Sequence, residues 1–144
     1  MATPKITPFL WFDDDPNTIV DYYKSIFKDT QVQSVNPMFA SFAIHGQDFM
    51  ALKGGPHFKF NEAVSFFVRC ADQTEVDYLW NALTANGGAP GQCGWCKDKY
   101  GVSWQIIPTR MMELMGGANA GKVNQAMRQM TKIDIATLEK AAAG

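Results

Sequence analysis

Apolar and polar residues first alternate and then recur at three- and four-residue intervals along this chain, and that sequence of patterns occurs twice. Alternation over Ile6 to Phe12 predicts a strand, ended by Asp13-Asp14-Asp15-Pro16, which also offers a cap and a first-turn proline to a following helix. The helix is predicted from Asn17 to Phe27, with Ile19, Tyr22, Tyr23, Ile26 and Phe27 on one face. Strands are predicted over Thr30 to Val35, Met38 to Ile44 and Asp48 to Lys53, separated by the turn formers Asn36-Pro37 and His45-Gly46-Gln47. Gly54-Gly55-Pro56 then breaks the pattern. After the linker His57 to Asn61, the order restarts with a strand over Ala63 to Cys70 and a helix over Gln73 to Ala85, whose face is Val76, Leu79, Trp80 and Leu83. Asn86-Gly87-Gly88 stops that helix. Further strands are expected at Gly91 to Trp95 and Val102 to Ile107, around Lys97-Asp98-Lys99-Tyr100-Gly101. Helical patterning resumes beyond Pro108, at Met111-Met112-Glu113-Leu114-Met115, Lys122 to Met130 and Ile135 to Ala142.

The two strand-helix stretches are near copies. TIVDYYKSIF from Thr18 and TEVDYLWNAL from Thr74 align without gaps and match Thr18 to Thr74, Val20 to Val76, Asp21 to Asp77 and Tyr22 to Tyr78. A repeat of that size points to a duplicated module. The chain divides accordingly into a module over 1–55, a module over 60–108 and a helical tail over 109–144, which together form one domain of 144 residues. The tail is expected to pack on the outside or on a partner chain.

Composition narrows the function classes. A formal charge of -1 with no Lys/Arg run lacks the basic footprint of a nucleic-acid surface. The N-terminal stretch MATPKITPFLWF has no basic segment leading into a sustained apolar one, and no apolar run approaches the ~20 residues of a membrane helix. A soluble, cytoplasmic protein is expected. The odd set Cys70, Cys93 and Cys96 suits a reducing compartment.

Candidate chemistry is sparse. Cys93-Gly94-Trp95-Cys96 has redox-pair spacing, but a turn and strand follow it instead of the helix N-terminus that lowers such a thiol's pKa. No fourth ligand at recognisable spacing completes a zinc site with Cys70. His45 falls in a turn. His57, in the linker, could cover a cleft mouth and act as a general base, or be an exposed loop histidine. Asp13, Asp14 and Asp15 read as a helix cap. Strand alternation places Leu10, Phe12, Val64, Phe66, Val68, Val102, Trp104 and Ile106 on the helix side. Thr7, Phe9, Trp11, Ser65, Phe67, Arg69, Ser103 and Gln105 fall on the other. That second face mixes aromatic and polar groups, as small-molecule sites do, although such aromatics can equally fill a core.

The segments PFLWF, DYYKSIF, GGPHFKFNEAVSFFV and CGWCKDKYGVSWQIIP resemble the PhnB-like branch of the vicinal oxygen chelate superfamily (glyoxalase, bleomycin resistance, extradiol dioxygenase), often labelled a 3-demethylubiquinone 3-methyltransferase domain. The resemblance runs into the tail at KIDIATLEKA. It implies an α+β fold of paired βαβββ modules, a curved, mixed and mostly antiparallel sheet, and a homodimer. Superfamily members hold a divalent metal with His, Glu or Gln from each module. Carried onto this chain, those positions fall at Thr7, Ser65 (or Ala63 in the gapless register), near Ala51 in the last strand of the first module, and at Gln105. One amide oxygen does not make a metal site, so neither a metal nor another cofactor is expected. The family segment usually reads CGWL, which makes Cys96 a departure. No GxGxG turn supports the methyltransferase label.

These observations point to a protein that binds a small hydrophobic or aromatic molecule through Phe9, Trp11, His57, Ser65, Phe67, Trp95 and Gln105, with no catalytic residue identified. A lyase or dioxygenase-type enzyme with its metal completed across a dimer stands as the alternative. A structural role, with the tail as an interface, is the third.

Overall fold

The computed structural model describes residues 4–144, so the first three residues of the 1–55 module and of the N-terminal stretch lie outside it. The chain forms two compact units, one running to Lys59 and the other from Phe60 to Gly144. The first contains β1 (Phe9–Phe12), α1 (Pro16–Ile26), β2 (Thr30–Val35), β3 (Phe39–Ile44) and β4 (Gln47–Lys53). The second contains β5 (Ser65–Cys70), α2 (Gln73–Thr84), β6 (Ala89–Pro90), β7 (Trp95–Lys97) and β8 (Ser103–Pro108), followed by α3 (Thr109–Met115), α4 (Ala120–Met127) and α5 (Ile135–Ala143). The fold is α+β, with the expected sheet formed as one four-stranded mixed sheet per unit.

Strand order is β1-β4-β3-β2 in one sheet and β5-β8-β7-β6 in the other. In each, the first strand pairs in parallel with the last and the remaining pairs are antiparallel. Both helices start where the sequence supplies caps. Asp15 accepts from the Asn17 amide at 2.9 Å with Pro16 in the first turn, so the acidic run is a helix cap. Asp72 accepts from the Glu75 amide at 2.9 Å, while Glu75 reaches back to the Ala71 amide at 2.7 Å, a reciprocal arrangement close to a capping box.

Helix α1 buries Ile19, Val20, Tyr23 and Ile26 against an aromatic core in which Tyr23 stacks on Phe42 at 6.1 Å and Phe42 on Phe49 at 5.8 Å. Each side chain of this size taken out of water contributes about 1.5–3 kcal/mol before ordering costs. Helix α2 buries Val76, Leu79, Trp80 and Leu83, the predicted face.

Some strands differ from expectation. β1 begins at Phe9 and not at Ile6, because Pro8 has no N–H to donate and enters the ladder only as acceptor for the Met50 amide at 2.9 Å. Residues 91–94 are a loop and not a strand. Cys93 and Gly94 both take positive φ, at 59° and 86°, and the chain pairs again only at Trp95. Val64, assigned to the helix side, precedes β5 and is exposed. The tail folds around a core of its own, in which Met111, Val123, Ile133 and Leu138 bury against Ile107 of β8.

Candidate functional site

In the first unit, Phe9 is about half exposed at 53% on the edge strand β1. Trp11 is half-buried and held by the linker. Its Nε1 donates to Gly55 O at 2.9 Å, and its ring meets Phe58 edge-on at 4.9 Å and His57 at 6.5 Å. A Cβ on Gly54 would lie 2.1 Å from the Trp11 ring, so glycine is needed for this approach. His57 is exposed in the turn that follows, its ring against Trp11. Trp11 and His57 are therefore brought together, and Phe9 lies two residues before Trp11 on the same edge strand.

In the second unit the ladder places Ser65 opposite Ser103, Phe67 opposite Gln105, Gln105 opposite Trp95, and Ser103 opposite Lys97. Paired residues share a face, so the predicted Ser65, Phe67, Trp95 and Gln105 come together, joined by Lys97 and Ser103. Gln105 Nε2 donates to Ser65 Oγ at 2.9 Å, tying the outer strand to the central one. Phe67 is partly exposed and carries the Arg69 guanidinium 5.2 Å from its ring centre.

Beside this face lies a cavity of about 550 Å³, walled by Pro90, Gly91, Gln92 and Trp95, with Ser103 and Lys97 among its lining residues. Lys97 Nζ pairs with Glu62 at 3.0 Å at this cavity, and that ion pair holds the Glu62 carboxyl below its ordinary pKa. Ser103 is 1% exposed, and its Oγ has no hydrogen-bond partner among the described residues. A buried hydroxyl without a partner is a site of unfulfilled hydrogen bonding. Ser103, Lys97 and Glu62 were absent from the predicted binding set. Alternation already put Ser103 on this face, but neither the shortening of β6 and β7 that opens the cavity nor the lack of a partner has a sequence signal.

The superfamily's metal positions do not supply a donor set here. Thr7 precedes β1, Ala51 is fully buried, and the Gln105 amide is engaged with Ser65. Among the described residues, no group of three or more His, Cys, Asp or Glu side chains is placed to hold a metal ion. Cys96 is buried and desolvation pushes its thiol up to about 12, opposite to the lowered pKa of a reactive pair, and Cys70 is likewise pushed to about 12.

Comparison with known proteins places this geometry in a family. A family model described as 3-demethylubiquinone-9 3-methyltransferase matches residues 4–107. That match stops short of the tail, which the sequence resemblance had included. A solved PhnB protein from Bacillus cereus is 29% identical, with a TM-score of 0.66, over 73% of this chain and 99% of its own. A solved protein from Pseudomonas aeruginosa is similar in fold at 19% identity and a TM-score of 0.58, over 74% of this chain and 98% of its own. A structure described as a possible glyoxalase from Bacillus cereus shares the fold at 13% identity and a TM-score of 0.56, over 74% of this chain and 99% of its own. No curated protein sequence matches. No helix among the described residues is long and apolar enough to cross a membrane.

Proposed function

The chain belongs to the 3-demethylubiquinone-9 3-methyltransferase family, and from that premise we propose that it is a PhnB-like protein of the glyoxalase and bleomycin-resistance superfamily that binds a small, neutral aromatic molecule carrying one hydrogen-bonding oxygen. The observation that carries this reading is the unpartnered, buried Ser103 Oγ in the lining of a cavity of about 550 Å³, a size within the ~300–1,000 Å³ of small-molecule sites. Trp95 and Pro90 offer apolar contact for a flat ring, and the ligand's oxygen completes Ser103. Lys97 and Glu62 neutralise each other at 3.0 Å, which favours an uncharged ligand over an acid or an amine. No metal takes part in this reading, since Gln105 and Ser65 serve each other. Nor is methyl transfer carried over from the family's description, because no glycine-rich cofactor turn occurs in the sequence. The same proposal takes the working protein as a cytoplasmic homodimer, supported by three free cysteines and by the exposed apolar side chains Phe9, Phe58, Val64 and Phe67.

The test is Ser103→Ala read in two ways. Without ligand, removing an unsatisfied buried hydroxyl stabilises the protein by about 1 kcal/mol in urea unfolding. With 2-naphthol as a neutral aromatic alcohol, the variant binds about five- to tenfold more weakly by fluorescence titration. A variant no more stable, with unchanged naphthol affinity, or a stoichiometric metal bound through Gln105 in chelator-free protein, overturns the proposal.

A further inference from the structure

The family match ends at Ile107, so the tail helices lie beyond it, and backbone hydrogen bonding connects them to the cavity. Gln92 to Trp95 form a tight turn in which the Trp95 amide donates to Gln92 O at 3.0 Å while Cys93 and Gly94 both hold positive φ. Positive φ at both central residues is the type I′ pattern. Such a turn uses neither central amide in its own bond, so both need acceptors from elsewhere. The tail supplies both: the Cys93 amide donates to Met130 O at 2.9 Å and the Gly94 amide to Thr131 O at 2.8 Å. A Cβ on Gly94 would lie 2.8 Å from Ile107 Cδ1 and 3.1 Å from Ile133 Cγ1, so the tail core closes directly over this glycine.

The segment that provides these acceptors is gripped from its other side by α2. Gln73 Oε1 accepts from the Ile135 amide at 2.8 Å and Gln73 Nε2 donates to Ile133 O at 2.9 Å. Lys132 Nζ pairs with Asp77 Oδ1 at 2.8 Å. Residues 130–135 thus form a strap between the first turns of α2 and the 92–95 turn. Trp95 leaves that turn into the cavity wall, where its carbonyl accepts from the Gly91 amide at 2.8 Å.

We infer that the Met130–Ile135 strap is a positioning device for the ligand cavity: by satisfying the two turn amides it sets where Trp95 stands, so that tail docking and ligand binding favour one another. Only the ligand half of this inference rests on the proposed function. Coupling of that kind is reciprocal, so loosening the strap weakens the ligand and the ligand tightens the strap.

The test uses the full chain labelled with fluorotryptophan, the Trp95 signal being assigned by its loss in Trp95→Phe, and compares it with Gln73→Ala, which removes both side-chain bonds to the strap. The expected result is faster exchange of the Ile135 amide, about tenfold faster exchange at Cys93 and Gly94, a displaced Trp95 fluorine resonance beside an unmoved Trp11 resonance, and about fivefold weaker 2-naphthol binding. Faster exchange at Ile135 with Cys93, Gly94 and Trp95 unchanged overturns the inference, as does a displaced Trp95 with undiminished naphthol affinity. Should Gln73→Ala fail to fold, Gly94→Ala perturbs the same contact from the turn side and must displace Trp95. An unmoved Trp95 there overturns the inference equally. If the unsubstituted chain binds no naphthol, the proposed function falls, while the fluorine and exchange measurements still decide the strap.

Discussion

In the first module, β2, β3 and β4 run for six, six and seven residues and pair along most of their length, with one irregularity between Val32 and Ser34. In the second, the strands at the equivalent places, β6 and β7, last two and three residues. Topology is the same in both: the first strand runs parallel to the last, and the helix crosses between them. What differs is how much backbone the ladder consumes. Residues freed from pairing at 91–94 become a loop that walls a cavity, whereas the first module spends its chain on a continuous sheet over an aromatic core. The frame is the same in both copies, and the two shorter strands of the second leave a cavity beside its sheet.

The modules also handle the turn before their last strand differently. His45 and Gly46 bridge β3 and β4 with positive φ, at 47° and 79°, in the open. Between β7 and β8 the turn is organised by Asp98, 1% exposed, whose carboxylate accepts from the Tyr100 and Val102 amides and from Trp104 Nε1 at 2.9 Å. A backbone turn is locally replaceable, but a buried acceptor with three donors is not.

The largest expected contrast lies among the thiols, all three in the second module. With pKa values pushed up to about 12 by burial, Cys70 and Cys96 hold roughly one part in ten thousand as thiolate at pH 8, against about a quarter for an ordinary thiol. Cys70 and Cys96 are also buried while Cys93 is only partly so, and iodoacetamide should modify Cys93 at least about a hundredfold faster than either, by mass spectrometry of the native protein. Comparable rates at Cys96 and Cys93 would restore the redox-pair reading. Next comes the turn comparison. Asp98→Ala should lower the unfolding free energy by about 3 kcal/mol, since three buried donors lose a charged acceptor. Gly46→Ala, which has open space around it, should cost only about 1 kcal/mol through its positive φ. Equal losses in urea unfolding would erase the distinction. Gly54→Ala probes the first module's own close contact. Forcing a methyl onto Trp11 should cost about 1–3 kcal/mol and release the Nε1 bond to Gly55, seen as a shift of the Trp11 indole resonance.

The smallest effect is electrostatic. Lys132 holds the Asp77 carboxyl below the ordinary aspartate pKa. A carboxylate depressed in the folded state contributes stability above its unfolded pKa, near 3.9, and loses it as pH falls through the lower folded value. Lys132→Met should therefore flatten the stability profile only below about pH 4. An unchanged slope in Lys132→Met would mean the strap's ion pair is screened by solvent.

Much of the frame was legible before any coordinates. The helix faces follow from three- and four-residue spacing, the caps from Asp15 and Asp72, and the shared sheet face of Ser65, Phe67, Ser103 and Gln105 from period-two alternation. Those features depend on local geometry, which neighbouring residues set among themselves. The loop at 91–94 was misread as strand because Cys93 adopts a left-handed conformation, uncommon for a residue with a Cβ, which the tail's carbonyls help to hold. Phe9, placed by alternation on the face of Trp11, is half exposed on the edge strand β1. The unpartnered Ser103 and the strap under Trp95 were invisible for a related reason. Whether a hydroxyl finds a partner, or an amide an acceptor, is decided by groups distant in sequence, such as Met130 for Cys93 and Gln73 for Ile135. By itself the sequence determined the duplicated α+β frame, because period and capping act over a few residues. Only the tertiary structure decided where a cavity opens and what holds its wall, because those depend on how distant backbone polar groups are satisfied once burial has removed water from them.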